Sequence, residues 1–414
     1  MRKPAIASFA LAALLALVAS CGGGGSGGGT NVIPQVIATP GPPNVEPITV
    51  DTGPALLTQR VVNIPYVTIQ ICDPTSGACQ TIDHIEVDTG SSGLRILSQA
   101  LSLNLQVATL GGKAIAECTQ FADGSSFGPL AVVNLTLPTS GKTVNNLAIQ
   151  VIGAPAYPNV PSDCPGSAEN DVATFGANGI LGVGPFIQDC GGACAGTGFP
   201  SGFYYTCADP TTCVGAAVPT AQQVSNPVNF FATDDNGVIV ELPAVSGTGS
   251  SSLSGSLVFG INTQSNNTFG SASVATASAD LAFVQATYNG TVYDNGALDS
   301  GSNANYFSDS SITACTQQLG FYCPNSTLSL SATLKGTNGT VLSAPFAVAN
   351  AETELNNNPT AAVIPNLGGQ LPDSGSTSTT IQFDLGLPFF YGRNVFTGLE
   401  AHTAGGYTGP FFGF

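Results

Sequence analysis

Two short acidic motifs, placed alike in the two halves of the chain, constrain the fold more than any other feature. Asp88-Thr89-Gly90-Ser91-Ser92 ends an alternating apolar stretch, and Asp299-Ser300-Gly301-Ser302 follows the strand-like Ala297-Leu298. At a similar interval after each motif stand an apolar residue and a glycine, first in Leu181-Gly182 and then in Leu385-Gly386. In each motif the glycine permits a tight turn just beyond the carboxylate. The repetition predicts a duplicated lobe, with one carboxylate from each half.

The composition favours strands and turns. The chain has 414 residues, 43% of them apolar, with 51 Gly and 28 Pro. This apolar content is normal for a protein that buries a core, and the abundance of Gly, Ser, Thr, Asn and Val excludes a coiled coil or a helical repeat. Several Asn-Gly steps predict hairpin turns. We therefore expect an all-β protein, with helix limited to short pieces such as residues 94–103.

The net charge excludes polyanionic partners. The chain has 8 Lys and Arg against 25 Asp and Glu, which leaves a formal net charge of −17 at pH 7. An excess of this size repels nucleic-acid phosphates and anionic lipid headgroups. We therefore expect no nucleic-acid partner, and contact with a membrane only through a covalent lipid.

Residues 1–20 have the pattern of an export signal. They begin with two basic residues, continue with an apolar run too short to span a bilayer, and end in small residues. Val18-Ala19-Ser20-Cys21 resembles the lipobox of bacterial lipoproteins, which implies that Cys21 becomes the lipidated first residue. The alternative is an ordinary signal with a chance cysteine. We expect a lipid-anchored protein of the bacterial envelope, at the outer membrane, on its periplasmic or surface face.

Composition then divides the exported part into three segments. Residues 21–47 are rich in Gly and Ser and then in Pro, as in a flexible tether. Residues 48–225 are expected to form an N-terminal β lobe, and residues 226–414 a C-terminal β lobe. The polar stretch of residues 350–380 is expected to be a surface loop, because long irregular loops in a compact domain are usually functional or mobile.

The cysteine count fits an oxidising compartment. Besides Cys21, the chain has an even number of cysteines, which predicts up to five disulfides. Three pairs are near enough in sequence to close local loops: Cys72/Cys79, Cys207/Cys213 and Cys315/Cys323. Cys190 and Cys194 could pair with each other or with the next two cysteines. A metal site is not expected, because the chain has no Cys-x-x-Cys pair and only two histidines; no cofactor is expected either.

The acidic motifs resemble the two active-site motifs of the pepsin-like aspartic proteases, the second in a known variant form. Gly179-Ile180-Leu181-Gly182 is similar to the glycine-bearing strand that crosses behind the first catalytic loop, and Gly255–Gly260 to the strand that enters the second lobe. These landmarks occur in the family's order over roughly residues 63–402. The resemblance implies a bilobal all-β fold with a central cleft, in a distant bacterial branch of the family.

The resemblance also implies a mechanism. Asp88 and Asp299 would be the catalytic pair, sharing one proton because two carboxylates ~3 Å apart cannot both ionise. The ionised member would take a proton from a water that attacks the peptide carbonyl, while the protonated member donates to the carbonyl oxygen. An acidic pH optimum is expected, because the shared proton is lost as the pH rises.

The remaining motif residues would support the two catalytic loops. Thr89 and Ser300 would brace one loop against the other, next to the turn residues Gly90 and Gly301. The two serines at the third position after each aspartate, Ser91 and Ser302, would hydrogen-bond the outer carboxylate oxygens.

The chain departs from the family at three places. The family packs a flap tyrosine near a tryptophan, but this chain has no Trp, and Arg95 stands near the position where the tryptophan would fall. The candidate flap, Phe121-Ala122-Asp123-Gly124-Ser125, begins with phenylalanine. Asp384 lies in the second crossing strand, where two apolar residues are usual.

These patterns predict an aspartic endopeptidase that acts as a monomer on a peptide or protein substrate. The alternative is a catalytically silent pepsin-like surface lipoprotein that binds peptide or glycan. A peptide carrying a hydroxyl that mimics the tetrahedral intermediate would separate the two.

Overall fold

A computed structural model describes residues 35–122, 124–371 and 380–414. The predicted signal peptide, the lipidation site Cys21 and the flap residue Asp123 lie outside the described residues. Among the residues that are described, the helices all fall short of the length and apolarity that crossing a membrane requires.

Strands dominate the chain, as the composition predicted. The first half contains β1 (Val45–Val50), β2 (Pro65–Cys72), β3 (Cys79–Asp88), β4 (Ser92–Leu97), β5 (Thr109–Leu110), β6 (Lys113–Gln120), β7 (Ser125–Leu137), β8 (Lys142–Ile152), β9 (Gly179–Val183), β10 (Tyr204–Asp209) and β11 (Thr212–Gly215). The second half contains β12 (Gly237–Leu242), β13 (Leu253–Phe259), β14 (Val274–Thr276), β15 (Val284–Tyr288), β16 (Thr291–Leu298), β17 (Asn305–Phe307), β18 (Leu328–Lys335), β19 (Val341–Val348), β20 (Gly368–Gly369), β21 (Phe383–Leu385), β22 (Arg393–Gly398), β23 (Thr403–Ala404), β24 (Tyr407–Thr408) and β25 (Phe411–Gly413).

Helices are few and short. The α-helices are α1 (Val172–Phe175), α2 (Ala351–Asn357) and α3 (Leu387–Phe390), and the 3-10 turns are Ser98–Ala100, Gly191–Cys194, Thr220–Gln222 and Pro227–Phe230. The helix predicted over residues 94–103 is wrong: this stretch holds most of strand β4 and a single 3-10 turn. Every residue of β4 is buried, so its sequence lacks the apolar–polar alternation that marks a half-exposed strand. The predicted surface loop of residues 350–380 includes helix α2 and strand β20.

The strands form two large sheets. One runs in the order β11-β10-β6-β7-β8-β4-β9-β3-β2-β1-β13-β12-β22-β25-β14, with β5 beside β6, and the other in the order β19-β18-β15-β16-β21-β17-β20. The first sheet therefore holds β2–β11 at one end and continues through β1, β12, β13, β14, β22 and β25, whereas β15–β21 form the second sheet and β23 pairs with β24 alone. The predicted all-β, bilobal fold is confirmed; the lobe limits at residues 48–225 and 226–414 remain a prediction.

The chain packs earlier than the predicted tether allowed. Within residues 35–47, the amide of Ala38 donates to Glu241 Oε2 at 2.6 Å, and the side chain of Asn44 donates to the carbonyl of Phe259 at 2.9 Å. Strand β1 then pairs antiparallel with β13 from Val45 onwards. The tether prediction is therefore wrong for residues 35–47, because hydrogen bonds between backbone groups and polar side chains, together with the pairing of β1 and β13, hold this segment without a long apolar run.

Two parallel strand pairs carry the acidic motifs. Strand β3 pairs with β9, with Asp88 opposite Gly182, and β16 pairs with β21, with Leu298 opposite Leu385. Behind β21 the core is aromatic, because Phe383 packs on Phe307 with 5.5 Å between ring centroids. The crossing strands expected from the repeated motifs are therefore present in both halves.

Five disulfides link the cysteines of the described chain. The three local pairs expected from sequence are formed, and the question left open is settled by Cys190 pairing with Cys194. Cys118 and Cys164 form the fifth bridge, which closes the longest loop.

Candidate active site

The turns after β3 and β16 bring the two motif aspartates together. Asp88 closes β3 and is only 5% exposed, while the amide of Asp299 donates to Leu385 O of the crossing strand at 3.0 Å. The two carboxyl groups lie side by side, because a β-carbon added at Gly301 would lie 2.8 Å from Asp88 Oδ1 and 3.2 Å from Asp299 Oδ1. Each half of the chain thus contributes one acid to a single site.

Glycine is required at the equivalent turn position of each motif. A β-carbon added at Gly90 would lie 2.6 Å from Cγ of Asp299, and one added at Gly301 would lie 2.8 Å from Oδ1 of Asp88. The same glycines donate their amides to the acid of their own motif: Gly90 to Asp88 Oδ1 at 2.6 Å and Gly301 to Asp299 Oδ1 at 2.8 Å. Each turn therefore holds its own carboxyl and makes room for the other.

The expected cross-bracing contacts between the loops are present. The amide of Thr89 donates to Ser300 Oγ at 3.1 Å, and the amide of Ser300 donates to Thr89 Oγ1 at 2.9 Å. Each hydroxyl then donates to a carbonyl beside the opposite aspartate, Thr89 to Leu298 O and Ser300 to Val87 O. This reciprocal network fixes the separation of the two turns.

The two serines expected to hold the outer carboxylate oxygens behave differently. Ser302 Oγ donates toward Asp299 Oδ2 at 3.0 Å, as predicted. Ser91 Oγ is buried and has no hydrogen-bond partner among the described residues, so the contact predicted with Asp88 is wrong. The hydroxyl of Ser91 faces Gly182 of β9 instead, at 2.7 Å from the position a β-carbon there would take. Side-chain direction at this position is set by the packing of β4 against β9.

A third carboxyl, which sequence reasoning noted only as a departure from the family pattern, belongs to the same site. Asp384 on β21 lies with Oδ2 at 2.6 Å from Ser302 Oγ. It was not predicted as a site residue because Leu385 follows it where the motifs have a hydroxyl residue; the signal was an acid inside an otherwise apolar crossing strand.

The site favours protonated carboxyls. Burial raises the pKa of Asp299 well above its ordinary value, and the negative charges of Asp88 and Asp384 raise it further. Burial also raises the pKa of Asp384 to about 7, against the opposing effect of its hydrogen bond with Ser302. Asp299 and Asp384 therefore keep protons at pH values where exposed aspartates have lost theirs.

The candidate flap lies at the β6–β7 hairpin. The amide of Phe121 donates to Gly124 O at 2.8 Å across the turn, and the Phe121 ring packs edge-on against Phe175 of α1 at 5.7 Å. A β-carbon at Gly124 would lie 2.6 Å from Ser167 O, so the hairpin also packs closely on its neighbour.

Arg95 ties the flap strand to the strand that leaves the first acidic motif. Its guanidinium is 1% exposed and contacts Glu117 Oε1 at 2.7 Å, Asp189 Oδ2 at 3.1 Å and Thr119 Oγ1 at 2.7 Å. The hydroxyl of Tyr204 donates to Asp189, whose pKa is raised by burial and by the neighbouring Glu117. Near the position where the family packs a tryptophan, this chain thus builds a buried ionic cluster. The partners of Arg95 are distant in sequence, so the motif alone did not reveal them.

Comparison with known proteins is consistent with this geometry. Residues 40–414 match the family described as protein of unknown function (DUF3443). The crystal structure of the aspartic proteinase from Irpex lacteus is similar, with a TM-score of 0.50 and 17% identity over 89% of this chain and 96% of that chain. No curated protein sequence matches the chain significantly. The chain therefore belongs to the DUF3443 family, and its fold is that of the pepsin-like aspartic proteinases.

Proposed function

We propose that this protein is an aspartic endopeptidase in which Asp88 and Asp299 activate a water molecule. The observation that carries the proposal is the meeting of two carboxyls, one from each half, side by side against the turn glycines of a braced pair of turns. The fold similarity supports the proposal at the level of architecture alone.

The chemistry follows from the shared proton. With one proton on the pair, the ionised carboxyl removes a proton from water as the oxygen attacks the peptide carbonyl, and the other carboxyl donates its proton to the carbonyl oxygen. The titration belongs to the pair, so the proton is not assigned to one aspartate. Activity is expected in acid and is lost as the pH rises and the shared proton leaves.

Hydrolysis of an unfolded protein substrate, followed by mass spectrometry across acid and neutral pH, tests this assignment. Asp88→Asn and Asp299→Asn are each expected to reduce the rate by at least about a hundredfold, since either change removes the shared-proton pair. Asp280→Asn, which alters an exposed acid, serves as the control and keeps the wild-type rate. Full activity in either active-site variant would defeat the proposal.

We further propose that the enzyme is a monomer anchored in the bacterial envelope through a lipid on Cys21, with a peptide or protein as substrate. The support is the lipobox-like sequence before Cys21 and the disulfide content of the folded part. Cys21→Ser should move the protein from the membrane fraction to the soluble fraction. Equal membrane association of the variant and the wild type would contradict the anchor.

A further inference from the structure

Asp384 is buried in a way that packing alone does not explain. The side chain lies on β21 opposite Ala297 of β16 and Tyr306 of β17, and is 4% exposed. One carboxyl oxygen contacts Ser302, and the other, Oδ1, is buried without a hydrogen-bond partner among the described residues. Burying an ionised carboxylate with an unpaired oxygen is costly.

The first half of the chain shows what this position holds when no acid is present. Ile180 stands two residues before Gly182, as Asp384 stands two residues before Gly386, and Ile180 is buried at 3% exposure. Both lie on strands that pair in parallel with the strand carrying a motif aspartate. The fold therefore accommodates an aliphatic side chain at this position. The second half of the chain has a carboxyl there instead, so the site has a third acid that the first half does not match.

Counting hydrogens at Ser302 identifies the protonated partner. Ser302 Oγ lies within hydrogen-bonding distance of Asp299 Oδ2, at 3.0 Å, and of Asp384 Oδ2, at 2.6 Å. A hydroxyl has one proton, so it can donate to only one of these oxygens, and the other carboxyl must donate to it. Since Asp384 has an oxygen with no donor, its neutral form is the less costly one. The proton order is then Asp384 to Ser302, and Ser302 to Asp299.

We propose that Asp384 is a third functional carboxyl of the site, a positioning residue that stays protonated in the working pH range and, through Ser302, controls when Asp299 loses its proton. The effect of Asp384 on catalysis rests on the proposed protease function. The protonation state of Asp384 does not depend on that function, and it can be measured in the protein without substrate.

The groups around Asp384 agree with this assignment. The acids that face it are Asp88 from β3 and Asp299 from the turn after β16, while Tyr306 of β17 uses its hydroxyl to donate to Asn303. Among the described residues, no ion pair neutralises any of these acids. The raised pKa of Asp384, about 7, is consistent with a neutral group in acid.

The test is carboxyl carbon NMR of the full chain labelled with 13C at aspartate, followed across pH. In the wild type, the resonance that disappears in Asp384→Asn should keep its protonated shift above about pH 5, where ordinary aspartates have ionised. In the wild type, Asp384 ionises above about pH 7, and its negative charge then opposes the ionisation of Asp299. In Asp384→Asn, the amide still donates to Ser302 but cannot ionise, so the titration of Asp299 should move to lower pH, by roughly one unit or more.

Glu241→Gln is the matched control. Glu241 is also buried and its pKa is also raised to about 7, but it bonds Ala38 and Asn394 rather than the site. This variant should leave the titration of Asp299 unchanged. An Asp384 resonance that titrates near pH ~4, or an Asp299 titration that Asp384→Asn does not move, would overturn the proposal.

Ser302→Ala provides a second variant if Asp384→Asn fails to fold. It removes the donor to Asp299 and should raise the pH at which Asp299 ionises, the opposite direction to Asp384→Asn. Ser91→Ala, at the same offset from Asp88 but without a carboxyl partner, should leave that pH unchanged. Equal titration of Asp299 in both serine variants and the wild type would contradict the relay.

Activity then separates this inference from the proposed function. If the wild type hydrolyses peptides, Asp384→Asn should shift the alkaline limb of kcat/KM to lower pH, whereas a purely structural defect would lower the profile without moving it. If the wild type hydrolyses none, the protease proposal fails, while the NMR titration still decides the role of Asp384.

Discussion

At the scale of single residues, the absence of a side chain at two positions decides how near the two acids come. Gly90 sits against the carboxyl of Asp299, and Gly301 against that of Asp88. A methyl group at either position would occupy space that the opposite carboxyl already fills. The identity of these glycines therefore bears on the acid–acid contact as directly as the aspartates do.

Gly90→Ala should separate the acids without removing either. We expect hydrolysis to fall by about a hundredfold, since displacement of a reacting group by about 1 Å has effects of this size. Steady-state kinetics on a peptide substrate checks this. Gly247→Ala is the control, because no atom lies within 4 Å of a β-carbon added there. Unchanged kinetics in Gly90→Ala would show that the contact does not limit the reaction.

Arg95 illustrates how one buried charge supports two others. Replacing it by Met would leave the buried Glu117 and the partly buried Asp189 without their cation, and we expect a loss of about 3–5 kcal/mol in the free energy of unfolding. The loss should shrink in acid, because protonation removes the uncompensated charges. Urea unfolding at neutral and acid pH measures it. Lys335→Met, at an exposed cation, should change stability by less than about 0.5 kcal/mol; an equally small effect of Arg95→Met would contradict the role of the cluster.

At the scale of strands, the acidic loops are positioned by parallel neighbours, and the first described strand is paired into the same framework. Strand β1 pairs with both β2 and β13, so it links the strands that carry the first motif to those of the second half. The segment before β1 adds a buried contact, because the amide of Ala38 donates to Glu241 on β12.

The Glu241 carboxyl predicts a pH dependence of stability. Its folded pKa, about 7, exceeds the ordinary value of 4.5 because the side chain is buried, and the Ala38 amide only partly opposes this. Between these values the folded chain binds more protons than the unfolded chain, so this residue lowers stability as the pH rises. Glu241→Gln should gain stability relative to wild type from pH 4.5 to 7. Denaturant unfolding across this window checks the sign, and a difference independent of pH would contradict it.

The strands also show how far a sequence predicts this site. The aspartates, the turn glycines and the crossing strands were predictable because each is encoded in a few consecutive residues. The helix predicted at residues 94–103 was wrong because β4 is buried on both faces, so its sequence does not alternate between apolar and polar residues as a half-exposed strand does. The hydroxyl direction of Ser91 and the contact of Ser302 with Asp384 depend on strands that meet only in the folded chain. Those contacts could not be predicted from the pattern of neighbouring residues in the sequence.

At the scale of the whole molecule, the two halves each contribute different residues to one candidate site. The turn after β3 and the turn after β16 each present an acid, and reciprocal hydrogen bonds between Thr89 and Ser300 join them. Neither half has the complete pair, so the proposed chemistry is a property of the assembled chain. The proposed reaction centre therefore requires both halves to be folded together.

The most direct measurement compares two peptides that differ in one hydroxyl, one carrying a tetrahedral-mimicking hydroxyl and the other a methylene at that atom. If Asp88 and Asp299 both hydrogen-bond one water molecule, the hydroxyl of the first peptide should replace that water. Calorimetry in acid should then show that the wild type binds the hydroxyl peptide at least about a hundredfold more tightly than the methylene peptide. The difference in affinity between the two peptides should be small in Asp88→Asn and Asp299→Asn. Equal binding of the two peptides by the wild type would contradict the shared-proton site.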